Sequence, residues 1–141
     1  MTIRTADATW TGDGPHGKGV MKLGSGAYEG PFDFRSRMEN GAGTNPEELL
    51  GAAHAGCFSM ALAFGLTKAG HKPENIQTHA DVHFGPKDGG FAISRIDLST
   101  HGRVPGIDAA AFQKAAEQAK ANCPVSKALS GVEITLKTTF G

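Results

Sequence analysis

Residues 43–70 read GTNPEELLGAAHAGCFSMALAFGLTKAG, a stretch that predicts one long helix around which the fold is built. Asn45 is a favourable N-cap, Pro46 suits the first helical position, and Glu48 follows the cap by three residues, as in a capping box. Gly70 is a typical helix stop. The sequence therefore predicts a helix that begins just after Asn45 and ends just before Gly70.

The interior of this predicted helix is apolar on nearly every face, and no charged residue lies between Glu48 and Lys68. Its length of about 20 residues matches that of a membrane span. Its glycines, alanines, serine and histidine are instead typical of a helix that packs closely against protein. Because a helix that is apolar all round needs protein on every side, we expect this helix to be fully buried and not to enter a membrane.

Composition restricts the possible functions. The chain has 141 residues, which predicts a single domain over residues 1–141, and its 14 basic and 14 acidic side chains cancel. This neutral balance predicts neither a nucleic-acid partner nor an anionic membrane partner. The N-terminal residues contain no apolar signal-peptide core, so we expect a cytoplasmic protein.

Alternating apolar and polar residues predict strands before and after the long helix. The sequence GPKDGG at residues 85–90 predicts a hairpin turn, and Asp108 predicts the N-cap of a second, amphipathic helix. The order βββ–α–ββ–α–α–β, with its strands in antiparallel runs, indicates an α+β fold. The predicted strands lie at residues 3–10, from Val20 to Leu23, and at 28–38, 76–84, 91–100 and 132–140, and the two later helices at 109–121 and 124–129.

The two cysteines indicate redox or metal chemistry rather than a structural disulfide. Cys57 lies in the middle of the long helix, where burial raises the pKa of a thiol, so an inert core cysteine is a strong alternative. Cys123 precedes Pro124 at a helix start, where unpaired backbone N–H groups favour a thiolate. Residue chemistry alone therefore favours Cys123 as the nucleophile.

Two charged or titratable positions lie near these features. His54 precedes Cys57 by three residues and could activate it, although a core histidine with a backbone partner is the commoner case. Arg35 and Arg37 alternate on the predicted third strand, which is typical of a solvated face. If Arg37 is buried, its guanidinium needs a carboxylate, and Glu47 or Glu48 is the nearest in sequence. No CxxC or HExxH motif is present, so no zinc site is predicted.

Three segments carry a resemblance to a known family: GTNPEELLGAAHAGCFSMAL at residues 43–62, VPGID at 104–108 and ANCPVS at 121–126. Together they resemble the OsmC (osmotically inducible protein C) family of hydroperoxide reductases, and the resemblance extends over essentially the whole chain. It implies an OsmC-like α+β fold, with antiparallel sheets around a long buried central helix.

The resemblance also implies a thiol-dependent peroxidase that protects against oxidative stress. By motif, Cys57 is the residue oxidised by a small-molecule hydroperoxide, and Cys123 resolves its sulfenic acid to a disulfide that an external dithiol reduces. The arginine and glutamate of the family site correspond to Arg37 and Glu47. This reverses the ranking of the two thiols, which is consistent with residue chemistry if Arg37 supplies the positive charge that Cys57 lacks.

The chemistry implied by this resemblance needs an apolar wall that admits an alkyl group, and it needs no metal or organic cofactor. The candidates for the wall are Phe58, Met60, Phe64 and Phe91. The alternative is a non-catalytic small-molecule-binding or stress-structural protein with two buried thiols.

The spacing of Glu47 and Cys57 predicts a second subunit at the site. Ten residues separate them, which is about 15 Å along one continuous helix. If Glu47 serves the site, it should therefore come from the partner chain of an intertwined homodimer, with the two central helices packed antiparallel.

Overall fold

The computed structural model describes all 141 residues and contains six strands and four helices in the order βββ–α–α–ββ–α–α–β, which confirms the α+β class. The strands are β1 (Ala6–Thr11), β2 (Lys18–Leu23), β3 (Glu29–Phe32), β4 (Asn75–Lys87), β5 (Gly90–Arg103) and β6 (Glu133–Phe140). The helices are α1 (Phe34–Met38), α2 (Pro46–Lys68), α3 (Ala109–Asn122) and α4 (Pro124–Ala128).

The chain divides into two units, Met1–Leu49 and Leu50–Gly141. The first contains an antiparallel three-stranded sheet in the order β1–β2–β3, together with α1 and the first residues of α2. The second contains the rest of α2, the sheet β4–β5–β6, α3 and α4.

The prediction of a strand over residues 28–38 is wrong in its second half, where α1 forms instead. Asp33 caps this helix: its side chain accepts from the Ser36 N–H at 2.8 Å, and its own N–H donates to the Ser36 hydroxyl at 2.9 Å. This reciprocal capping box ends the strand after Phe32. The alternation of Arg35 and Arg37 therefore reflects positions on one short helix and not one face of a strand.

Both predicted ends of α2 are confirmed. The Glu48 N–H donates to the Asn45 side-chain oxygen at 2.8 Å, although the Glu48 carboxylate accepts from the Thr44 hydroxyl at 2.7 Å and does not close the predicted capping box. At the other end Gly70 adopts a left-handed conformation (φ +94°), and the His71 N–H donates back to a carbonyl of the last turn at 2.9 Å. This is a Schellman ending, in which glycine is favoured because it has no Cβ.

The expectation that α2 is covered on all sides is not met within one chain. The buried positions form a single stripe at helical spacing: Glu47, Gly51, His54, Phe58, Leu62 and Leu66. Met60 and Phe64 point away from this stripe and are 63% and 69% exposed. By length and composition α2 could cross a membrane, a test that core helices of soluble proteins also pass, and 28% of its most apolar window is buried.

The second sheet begins with a long hairpin whose predicted turn is confirmed. Asp88 and Gly89, with φ values of 51° and 81°, form the two-residue loop between β4 and β5. Positive φ at both loop positions gives a turn whose twist matches that of the flanking strands, and Asp-Gly is a favoured pair for it.

β6 departs from the predicted antiparallel arrangement because it pairs with β5 in parallel, from Arg95↔Glu133 to Gly102↔Phe140. Parallel neighbours need a crossover connection, which α3 and α4 provide. Asp108 caps α3 as predicted, with its side chain accepting from the Ala111 N–H at 2.8 Å.

The core of this second unit lies between the sheet and the buried faces of α2 and α3. It consists of Phe58, Leu62, Leu66, Ile96, Leu98, Val104, Phe112, Ala116, Ala119 and Cys123. One of the two cysteines is therefore a core residue, and Cys57 packs against the same cluster.

Candidate active site

The fold brings the two cysteines together, although they lie 66 residues apart in the chain. Cys57 comes from the middle of α2, and Cys123 is the single residue between α3 and α4. Their sulfurs are 2.8 Å apart, within hydrogen-bond distance, and both cysteines are free. A thiol pair this close can convert to a disulfide with little movement of the backbone.

Cys57 is the more accessible of the two sulfur-bearing residues, since it is partly exposed whereas Cys123 is fully buried. Burial raises the pKa of the Cys57 thiol, and its contact with Cys123 raises it further, while the Val125 backbone N–H acts in the opposite direction. Cys57 therefore favours the neutral thiol within this chain.

Cys123 has the opposite tendency. Its burial alone would raise the pKa of the thiol, but interactions with Cys57, with the N–H and hydroxyl of Ser126, and with the Val125 N–H outweigh burial and lower that pKa. These N–H groups belong to the first turn of α4, and Cys123 makes no capping hydrogen bond of ordinary geometry with them. The lower pKa agrees with the preference that residue chemistry alone gave to Cys123.

His54 is fully buried one turn before Cys57, but its partner is neither that thiol nor the backbone. His54 Nε2 lies 2.8 Å from the Ser126 hydroxyl oxygen, whereas Nδ1 is buried without a hydrogen-bond partner. Burial lowers the pKa of this imidazole. Sequence reasoning missed Ser126, although it lies in the ANCPVS motif and most buried polar side chains have a hydrogen-bond partner.

Arg37 and Glu47 form an ion pair within the first unit. Arg37 Nε and Nη2 donate to Glu47 Oε1 at 2.9 and 2.8 Å, so Glu47 is the partner among the two carboxylates that the sequence left open, although Arg37 itself is partly exposed. Glu47 is 6% exposed, and its second oxygen, Oε2, is buried without a partner in this chain. Arg35, by contrast, is exposed and makes only a loose 3.8 Å contact with Glu39. The catalytic roles of Arg37 and Glu47 stay predictions.

The four residues predicted as an apolar wall lie in different environments. Phe58 is a core residue, Met60 and Phe64 are on the exposed side of α2, and Phe91 is 60% exposed and stacks on Phe84 with ring centroids 5.6 Å apart. Their role as a substrate pocket stays a prediction. No group of three or more His, Cys, Asp or Glu side chains is placed to hold a metal ion.

The site is therefore a pair of thiols: Cys57 is partly exposed, and Cys123 is buried and has a lowered pKa. In such a pair the accessible sulfur can be oxidised by two electrons, and the two sulfurs can then form a disulfide. An external thiol can reduce this disulfide.

Comparisons with known proteins point to one family. A family model described as "OsmC-like protein" matches residues 39–137. The chain is 50% identical to the peroxiredoxin OsmC of Escherichia coli over 138 residues, 96% of each chain. It is 34% identical to an organic hydroperoxide resistance protein of Xanthomonas axonopodis pv. citri, over 95% of this chain and 93% of the relative. Its fold matches the crystal structure of an organic hydroperoxide resistance protein from Elizabethkingia anophelis with a TM-score of 0.74 and 29% identity, covering 99% of both chains.

Proposed function

Because this chain belongs to the OsmC-like protein family, we propose that it is a thiol-dependent peroxidase that reduces organic hydroperoxides, with Cys57 as the oxidised residue and Cys123 as the resolving one. The names of its relatives, a peroxiredoxin and organic hydroperoxide resistance proteins, support this activity. The assignment of one cysteine as the oxidised residue and the other as the resolving residue is our own proposal.

The observation that carries the assignment is the 2.8 Å separation of the sulfurs of two cysteines that differ in exposure. A hydroperoxide can reach only a sulfur that solvent can reach, and Cys57 is partly exposed whereas Cys123 is 0% exposed. Access therefore favours Cys57 even though its thiol has the higher pKa.

The proposed cycle has three steps. The Cys57 thiolate attacks the distal oxygen of the hydroperoxide, the O–O bond breaks, and the alkoxide takes a proton to leave as an alcohol. Cys123 then attacks the sulfenic sulfur of Cys57, which forms the S–S bond and releases water. An external dithiol reduces this disulfide by thiol–disulfide exchange. The cycle requires no metal or organic cofactor, and it suits the cytoplasm, where thiol reductants are abundant.

Arg37 is the cation that we assign to the thiolate; Glu47 of the same chain holds it, and we propose that this pair serves Cys57 of a second subunit. Two observations support a second subunit: Glu47 has a buried oxygen without a partner in this chain, and the exposed apolar side of α2 is a surface that a second copy can cover. We therefore propose a homodimer in which Glu47 of one chain completes the site of the other.

Mixed dimers test the shared site. Cys57→Ser and Glu47→Ala subunits, each inactive alone, should regain activity when they are co-folded, with roughly one working site per heterodimer. Mixtures that stay inactive although both parents are folded and dimeric would contradict the shared site, as would a stable monomer at micromolar concentration.

Turnover of cumene hydroperoxide tests the function itself. We expect multiple turnovers with a lipoyl-type dithiol, slower turnover with a monothiol, and a comparison with hydrogen peroxide that ranks the two substrates. Loss of the thiols after one equivalent of peroxide, with no turnover when dithiol is supplied, would instead support a non-catalytic protein with two buried thiols.

A further inference from the structure

The proposed cycle uses neither His54 nor Ser126, yet these side chains make a buried hydrogen bond, and Ser126 lies three residues after Cys123 in the first turn of α4. His54 is 0% and Ser126 6% exposed, and their Nε2 and Oγ atoms lie 2.8 Å apart. His54 comes from α2 and Ser126 from α4, so the bond links the two elements that carry or flank the cysteines.

The unpartnered ring nitrogen of His54 indicates where its proton lies. A buried N–H without an acceptor is rarer in proteins than a buried acceptor without a donor. Since Nδ1 has no partner, we assign it the lone pair and give the hydrogen to Nε2. His54 then donates to Ser126 Oγ, and burial, which lowers the pKa of His54, keeps the ring neutral and this direction fixed.

The direction of this hydrogen bond decides what the Ser126 hydroxyl can do. A serine hydroxyl has one hydrogen, and its oxygen is already accepting from His54, so the hydrogen is available to another acceptor. Cys123 is the N-cap residue of α4 and Ser126 is at position N3, from which a side chain can reach back to the cap residue. The Ser126 side chain is also among the groups that lower the pKa of Cys123.

We propose that His54 is a positioning residue for Cys123: by donating to Ser126 Oγ, it directs the Ser126 hydroxyl hydrogen to the Cys123 sulfur and stabilises the thiolate. The role in turnover rests on the proposed function, whereas the effect on ionisation does not. No proton passes to His54, which remains a neutral donor throughout.

Two steps of the proposed cycle would use this thiolate. In resolution the Cys123 thiolate attacks the Cys57 sulfenic sulfur, the S–S bond forms, the S–O bond breaks, and the departing hydroxide takes a proton from solvent. Cys123 sulfur is oxidised and Cys57 sulfur reduced. In recovery a dithiol thiolate attacks Cys57 and Cys123 departs as a thiolate, a leaving group that the same hydrogen bond stabilises.

Few other groups could produce the same effect. The titratable side chain that contacts Cys123 from α2 is Cys57, and the remaining contributions come from Val125 and Ser126 of α4. Lys127, the charged residue next to Ser126, is exposed. Replacing Cys57 by serine removes the competing thiol and leaves Cys123 as the sole cysteine.

The test is a pH titration of thiolate ultraviolet absorbance in the Cys57→Ser protein, a measurement that needs neither peroxide nor access of a reagent to the buried sulfur. Ser126→Ala should raise the midpoint of Cys123 ionisation by about one pH unit, the effect of losing one hydrogen bond to a charged group. Ser126→Thr, which keeps the hydroxyl, should restore most of the shift.

His54 variants then separate positioning from general disruption. His54→Phe should raise the midpoint of Cys123 ionisation when Ser126 is present. It should add nothing when Ser126 is replaced by alanine, because its effect passes through the Ser126 hydroxyl. His54→Gln, whose amide can also donate, should keep most of the wild-type midpoint and guards against a folding defect in the phenylalanine variant.

Two outcomes would overturn the inference: an unchanged midpoint in a folded Ser126→Ala protein, or an equal effect of His54→Phe with and without the hydroxyl. Failure of the peroxidase proposal is distinguishable from both. A protein that shows the expected shifts but does not turn over hydroperoxide would retain the positioning role of His54 and lose the proposed function.

Discussion

The surroundings of Cys57 and Cys123 differ sharply, although the two sulfurs are 2.8 Å apart. Cys57 is partly exposed in the middle of a long apolar helix, and burial raises its pKa. Cys123 is sealed in the core, where polar contacts with Cys57 and the first turn of α4 overcome its burial and lower its pKa. Access to solvent and stabilisation of negative charge are thus assigned to different residues.

This division suits a reaction with two successive nucleophiles. The first must meet a molecule from solvent, and the second meets only its neighbour, so the second can be buried without losing its target. Burial of the second thiol also protects it from direct oxidation, since susceptibility follows both thiolate character and exposure. No positively charged group is among those that shift the pKa of Cys57, and Arg37 is the cation that we propose for it.

The largest effect should come from removing the accessible sulfur. Cys57→Ser should abolish hydroperoxide turnover and leave only the uncatalysed rate, because the remaining thiol is fully buried. Stopped-flow consumption of cumene hydroperoxide in the presence of dithiol measures it. Appearance of a sulfenic acid on Cys123 in this variant would reverse the assignment of the two residues.

Removing the buried sulfur should have a different result. Cys123→Ser should still consume about one equivalent of hydroperoxide and then stall, because the sulfenic acid on Cys57 has no thiol to resolve it. Mass spectrometry of the intact protein after one equivalent should find a single added oxygen on Cys57. A variant that reacts with no peroxide at all would show that the two thiols act as one unit from the first step.

A smaller effect should follow from removing the proposed cation. Arg37→Ala should slow the first oxidation of Cys57 by roughly tenfold or more, since loss of a nearby positive charge disfavours the thiolate. Arg35→Ala is the matched control and should change the rate little, because Arg35 is exposed and its contact with Glu39 is loose. The pH dependence of Cys57 alkylation in both variants provides the measurement, and unshifted, equal profiles would remove Arg37 from the site.

The smallest effect concerns His54, the buried imidazole that is hydrogen-bonded to Ser126. Burial lowers the pKa of His54 from 6.5, so below about pH 6.5 the unfolded chain binds more protons than the folded chain. The free energy of unfolding should therefore fall as the pH decreases through this range, and the contribution of His54 should be fully present above it. Urea denaturation at several pH values, in the wild type and in His54→Gln, isolates this contribution; parallel pH profiles would contradict a buried neutral imidazole.

The sequence correctly predicted those features of the fold that interactions between neighbouring residues determine. Asn45 and Gly70 predicted the ends of α2, and the Asp-Gly pair predicted the turn between β4 and β5. The helix α1 was missed because Arg35 and Arg37 imitate strand alternation, and because the signal that decides, an Asp33–Ser36 capping box, is only four residues long.

Long-range features had no such signal. Nothing in the sequence sets the direction in which β6 pairs with β5, and the meeting of Cys57 and Cys123 across 66 residues is a property of the whole fold. Residue chemistry ranked the thiols by pKa, and the structure supports that ranking. Residue chemistry alone could not show how exposed each cysteine is to solvent, which is the property that favours Cys57.

The parallel pairing of β6 with β5 also affects the order in which parts of the fold can form during synthesis. β4 and β5 can close through a two-residue turn within microseconds, whereas β6 reaches β5 only after the crossover through α3 and α4 is complete. Cys123 lies in that crossover and is synthesised 66 residues after Cys57, a delay of about 3–13 s at ordinary ribosome speeds. In the proposed cycle, Cys57 has no resolving partner during that interval, so a nascent chain that meets peroxide would stop at the sulfenic acid and depend on cellular thiols for its reduction.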